Sequence, residues 1–179
     1  MQDLGKYGVP APVVDQIARG EQPAPATDEG PGQAQDRQDV VAEWQEADYW
    51  NAVMRRGYYN GYSDRGFGLE KIQQKHNLNL RLARDVTQYP DREWGIGPQK
   101  KYKERGNTYR YEQEYIFVRC LGSLCELFPE DRRTVRVIHN FMPGSDGKAR
   151  GTVTAYCLNA DGNPRCPDWV KDSVLPPIG

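Results

Sequence analysis

The 179-residue sequence predicts an α+β fold: two N-terminal helices packed on a three- to four-stranded antiparallel sheet, preceded by an extended arm. Three observations point there. A Trp-containing stripe at helical spacing occupies residues 39–57. Strand-like alternation recurs after residue 107. Pro, Gly, Ala and acidic residues dominate before residue 39. The domain reading is an arm over 1–38 and a single α+β domain over 39–179.

The arm comes first. "EQPAPATDEGPGQAQ" at 21–35 contains nothing large and apolar to bury, so it should not hold structure alone. "PAPVVDQIARG" differs: Val13, Val14 and Ile17 share one side of a short turn, with Pro12 near its start and Gly20 just past its end. Segment 11–20 is too short for a stable isolated helix. It reads as a docking segment that orders on a partner.

"DVVAEWQEADYWNAVMRRG" at 39–57 is the first predicted helix. Asp39 is a good N-cap, Glu43 and Glu46 place negative charge early, and Arg55 and Arg56 close the C-terminus before Gly57. Val40, Trp44, Ala47, Trp50 or Asn51, and Met54 form its stripe. "RRGYYNGYSDRGFG" at 55–68 then reads as a helix exit and an aromatic-anchored loop, because its glycines oppose both helix and central strand. Its "RGFG" resembles the opening of the RNP1 octamer of RNA-recognition motifs, but Leu69, Glu70, Lys71 and Ile72 do not continue it.

Leu69 to Tyr89 gives the second helix. Leu69, Ile72, His76, Leu80 and Ala83 recur at helical spacing, although "NLNLRLA" also alternates like a strand. Residues 89–107 read as a long irregular connection packed down by Trp94 and Tyr102. In "NTYRYEQEYIFVRC" (107–120), Tyr109, Tyr111, Gln113, Tyr115 and Phe117 share one strand face. With helices to cover the sheet, that face is expected to be core, the alternative being an exposed surface for sugar stacking or a protein interface. "TVRVIHNFM" (134–142) and "TVTAYCLN" (152–159) flank the turn "PGSDGKARG" and form a hairpin. The tail "PDWVKDSVLPPIG" reads as irregular.

Four cysteines stand in two local pairs, Cys120 with Cys125 and Cys157 with Cys166. Two local disulfides lead, and they imply an oxidising compartment. Buried free thiols, a metal site and cross-pairing stay open, since connectivity cannot be read from sequence. A zinc ribbon wants short C-x₂₋₄-C knuckles at both ends, and only the first pair qualifies.

Composition narrows the function. The hydrophobic share is 37% and the mean hydropathy −0.85, and no stretch approaches the ~18–20 apolar residues of a membrane span. The start, "MQDLGKYGVPAP", lacks the basic and apolar regions of a signal peptide. It suits either a chain that is never exported or a mature domain behind an added Met. Net charge is −1, yet residues 55–106 carry twelve basic against six acidic side chains. Arg55, Arg56, Arg65, Lys100, Lys101 and Lys103 are the candidates to contact phosphate or another anion. The blander account, a solvated face complementing the acidic helix before it, is preferred.

No catalytic residue is expected. His76 and His139 sit inside apolar periodicities, and "GYSDR" departs from a nucleophile elbow at Arg65. Glu112 and Glu114 stand two apart on one strand, a spacing an acid/base pair could use, but cross-strand ion pairs explain them better. The leading expectation is a non-enzymatic structural or interaction subunit of an envelope, secretion or surface assembly. It would dock on other protein subunits through its arm, without cofactor or metal, in the periplasm or at a surface. Alternatives are a nucleic-acid-binding module using 55–106, and a structural protein of a virion or cytoplasmic complex.

Overall fold

The structure is a computed structural model that describes residues 36–91, 97–121 and 124–173. The expected docking residues Val13, Val14 and Ile17 lie outside the described residues, as does Trp94.

The α+β arrangement of two helices on a sheet is overturned: the chain is mostly strand, with only short helices. The expected first helix is instead an antiparallel hairpin, β1 (Val40–Gln45) with β2 (Asn51–Arg55). Two physical causes defeat the helical stripe. Tyr49 adopts φ 64, and the Glu46 carboxylate accepts the backbone N–H of Asp48 at 3.0 Å and of Trp50 at 3.1 Å, which closes a turn in mid-pattern. In β2, moreover, Ala52, Val53, Met54 and Arg55 are all buried. A strand covered on both faces reads as an apolar run and loses its alternation.

Arg55 is held there rather than offered to solvent. Its guanidinium makes a bidentate pair with Asp146 at 2.9 and 3.0 Å and donates to the carbonyls of Gln38, Ala149 and Arg150. A fully satisfied guanidinium is what its burial requires.

The glycine-rich stretch after it is a second small hairpin, β3 (Tyr58–Asn60) with β4 (Arg65–Phe67). Gly57 has φ +72, and a Cβ on it would sit 1.8 Å from the Phe67 carbonyl oxygen. Gly66 has φ +152, and its Cβ would meet the Tyr58 carbonyl oxygen at 2.1 Å. The glycines thus serve close backbone approach. Tyr58 and Phe67 stack edge to face across the hairpin at 5.7 Å.

The expected second helix is two, α1 (Gly68–Gln74) and α2 (Leu80–Gln88). Asn77 breaks it at φ 56, while Leu78 N–H reaches back to the Ile72 carbonyl at 2.9 Å, the pattern of a helix end. Asn79 then caps α2, its side chain accepting from Leu82 N–H at 2.9 Å. Ile72, Leu78, Leu82, Ala83 and Val86 are buried in the core.

The main sheet is a four-stranded antiparallel meander in the order β5-β6-β7-β8. Its strands are β5 (Lys101–Lys103), β6 (Thr108–Leu121), β7 (Leu124–Pro143) and β8 (Ala149–Leu158). The edge strand β5 lies within the stretch read as irregular. Tyr111, Tyr115, Val135, Val137 and Ala155 are buried against α1, α2 and β2, so the Tyr-rich face of β6 is core. The tail also departs from expectation, forming a short helix α3 (Asp168–Asp172) that buries Val170.

Both local disulfides are present, Cys120–Cys125 and Cys157–Cys166. Bonds of this kind form and persist in oxidising compartments. No helix among the described residues is long and apolar enough to cross a membrane.

Candidate interaction surface

Strands β6 and β7 outrun the sheet. Partners of β8 on β7 span Thr134 to Pro143. The β6–β7 ladder, by contrast, continues beyond a bulge through Phe117↔Phe128, Arg119↔Glu126 and Leu121↔Leu124. The result is a two-stranded ribbon on whose outer edges no strand is paired among the described residues. Two-stranded ribbons are marginal in water, and two devices support this one. At its root Phe117 stacks on Phe128 and on Trp169, each at 5.6 Å between centroids, and Arg119 lies over the Phe128 ring at 5.1 Å. At its far end, directly opposed Cys120 and Cys125 are joined.

Beyond that bond come Leu121 and Leu124, 79% and 78% exposed. Val118 and Ile116 are also exposed along β6. Residues paired across an antiparallel ladder share a face. The paired leucines Leu121 and Leu124 therefore share one face of the ribbon, opposite the disulfide. A covalently closed ribbon has less backbone freedom to lose when a partner buries the side chains it carries.

The sequence-predicted site residues fall elsewhere. Arg55 is interior, as described. Lys101 is interior too: its ammonium sits 2.8 Å from Glu46 Oε2, bonds Asp48, and lies over the rings of Trp50, Tyr109 and Tyr111 at 4.4, 5.2 and 5.5 Å. This knot ties the β1–β2 turn to the sheet edge. Tyr111 Oη also donates to Glu46 at 2.8 Å; burial and that bond push the phenol far above its ordinary pKa. Lys100 stands 3.8 Å from Asp91. Arg56, Arg65 and Lys103 are exposed, but they belong to three different segments, so the six cations are not gathered on one element. Glu112 bonds Arg136 at 2.6 Å and approaches Arg110 at 3.3 Å, and Glu114 stands 3.5 Å from Arg132. Both carboxylates are thus in ion pairs.

The histidines are likewise interior. His76 meets the Pro164 carbonyl through Nδ1 at 3.2 Å, and burial pulls its pKa down to about 4. His139 contacts Thr152 Oγ1 at 3.2 Å and packs on Phe141, with burial pulling its pKa to about 3. No cluster of three or more potential metal ligands occurs among the described residues.

Comparison with protein families, with characterised proteins and with solved structures finds no match for this chain.

The ribbon escaped sequence reading because Pro129 and the acidic run Glu130–Asp131 argue against a strand. One signal was available. "CLGSLC" places leucines and cysteines symmetrically about a Gly-Ser pair, and that symmetry is the sequence pattern of a hairpin tip.

Proposed function

We propose that this protein is a non-catalytic interaction subunit that engages another protein through the β6–β7 ribbon. It would work in an oxidising setting such as the periplasm, a cell surface or a secretion assembly. The observation that carries the reading is the pair Leu121 and Leu124, exposed at the tip of a ribbon closed by Cys120–Cys125. Exposed apolar side chains on a projecting element mark binding surfaces. The interior placement of Arg55 and Lys101 removes two members of the basic set and so disfavours the nucleic-acid alternative.

Site-specific photocrosslinking in the cells that make the protein tests this. A photoreactive phenylalanine analogue is placed at 121, at 124, or at Tyr62, which is 88% exposed on the other hairpin. Discrete protein adducts at 121 and 124, absent at 62, are the expected result. Adducts equally abundant at 62, or none at either ribbon position, would sink the proposal.

A further inference from the structure

The two disulfides differ in what surrounds them. Cys157 and Cys166 are 1% and 2% exposed and belong to the buried core. Cys157 N–H bonds the Pro164 carbonyl at 3.2 Å and Cys166 N–H bonds the His76 carbonyl at 2.9 Å, so the backbone at both ends of that bond is pinned. Cys120 and Cys125, by contrast, are both exposed. Side chains alternate along a strand, so Ile116 and Val118 share the face of Cys120. Both are exposed as well, and the row that leads to the disulfide is open among the described residues.

Exposure decides which disulfide a thiolate can reach, since exchange begins when a thiolate strikes one sulfur from the side away from the other. The Cys120–Cys125 bond joins directly opposed residues of β6 and β7. No strand is paired on the outer edge of either at this point among the described residues, so no neighbouring strand walls off the approach. At Cys157–Cys166 the same approach meets core, and that bond can react only when the body opens. All four cysteines are held in the two bonds, so an attacking thiolate has to come from another molecule.

We infer that Cys120–Cys125 is a thiol–disulfide exchange site for an external thiolate, whereas Cys157–Cys166 is structural. The thiolate bonds Sγ of one cysteine as the S–S bond breaks, and the electron pair leaves on the other sulfur. When the donor is a dithiol, its second thiolate attacks the donor sulfur of the mixed disulfide. The donor's own disulfide forms, two electrons have passed to Cys120 and Cys125, and the two protons the donor gave up end on their sulfurs. This inference does not rest on the ribbon's proposed role in docking, because exchange requires only the exposed bond.

The test uses the purified full chain with both bonds intact. Reduced glutathione and reduced thioredoxin are applied separately, free thiols are trapped at intervals with N-ethylmaleimide, and peptides are mapped by mass. A chain unfolded in guanidinium, which should react at all four cysteines, calibrates the trapping. In the folded chain Cys120 and Cys125 should be alkylated or carry glutathione about tenfold faster than Cys157 and Cys166, because the buried bond waits for the body to open. Reaction with both donors assigns the site to thiols in general. Reaction with thioredoxin alone assigns it to protein dithiols, and with glutathione alone to small thiols. Reaction of both pairs at one rate, of Cys157 and Cys166 first, or of neither Cys120 nor Cys125 with either donor would overturn the inference.

Discussion

The two ends of the β6–β7 ladder are made by the same pair of strands, yet they are stabilised by different physics. At the body end, Tyr111 and Val137 face each other in register, both buried, under α1, α2 and β2. At the ribbon end, Leu121 and Leu124 face each other exposed, with Cys120–Cys125 beside them. Hydrogen-bonded register is common to both ends. What separates them is a third layer: where helices and β2 cover the sheet, hydrophobic burial fixes it, and where none of the described residues covers it a covalent bond closes it. Strand pairing is thus a scaffold whose persistence is set by what lies on its faces.

The largest expected effect comes from breaking the body end at Lys101. Lys101→Met strands the buried Glu46 carboxylate, and breaking a buried ion pair costs about 3–5 kcal/mol. Urea unfolding should show that loss. The double variant Glu46→Gln/Lys101→Met should recover a large part of it, and failure to recover would mean the aromatic contacts, not the charge pair, hold the knot.

The two disulfides sharpen the same comparison. Cys157→Ser/Cys166→Ser removes a bond within the buried body, and closure of so short a loop is worth about 2–3 kcal/mol in the chain-entropy model. Cys120→Ser/Cys125→Ser should leave the global midpoint much less affected and instead raise amide exchange over 117–128, since local opening there need not unfold the body. Equal falls in the midpoint would show that ribbon and body unfold together.

Acid should act on the body through its two buried histidines. His76 and His139 bind protons in the unfolded chain near pH 6.5 but in the folded chain only near about 4 and about 3. Between those values the unfolded state holds more protons, so stability is full above about pH 6.5 and falls as pH drops. From pH 7 to pH 5 each histidine should account for roughly 2 kcal/mol. Denaturation at the two pH values checks this, and a His139→Asn variant should lose its share of the slope.

The smallest effect belongs to the tip. Leu121→Asp and Leu124→Asp should leave stability within about 0.5 kcal/mol, as surface substitutions do, while reducing the crosslinked adduct expected of the ribbon. A destabilisation of several kcal/mol would place the tip against the body.

Legibility in the sequence followed the same division. Alternation over Tyr109–Phe117 and over Val135–Phe141 was readable because one face of each strand is core and the other is not. In β2 it was not readable: Ala52, Val53, Met54 and Arg55 are covered on both faces, and Trp44 and Met54 happen to fit a helical period. Asn77 and Asn79 carried the helix break in plain residue chemistry, one tolerating positive φ and the other capping, but a continuous apolar face masked them. The four cysteines were legible as two local pairs. Lys101 looked like a candidate anion contact because sequence shows a charge and not the Glu46 and Asp48 that neutralise it.

The glycine crossing at Gly57 and Gly66 has a consequence for how this chain can be altered. With would-be Cβ atoms 1.8 and 2.1 Å from backbone oxygens of Phe67 and Tyr58, neither position can accept a side chain, and a library of variants should return glycine at both. Only a few residues away, the β3–β4 tip at Gly61–Ser63 is exposed and answers to no such constraint. One short stretch therefore combines the least substitutable backbone described in the molecule with a natural port for inserting a label or an affinity tag.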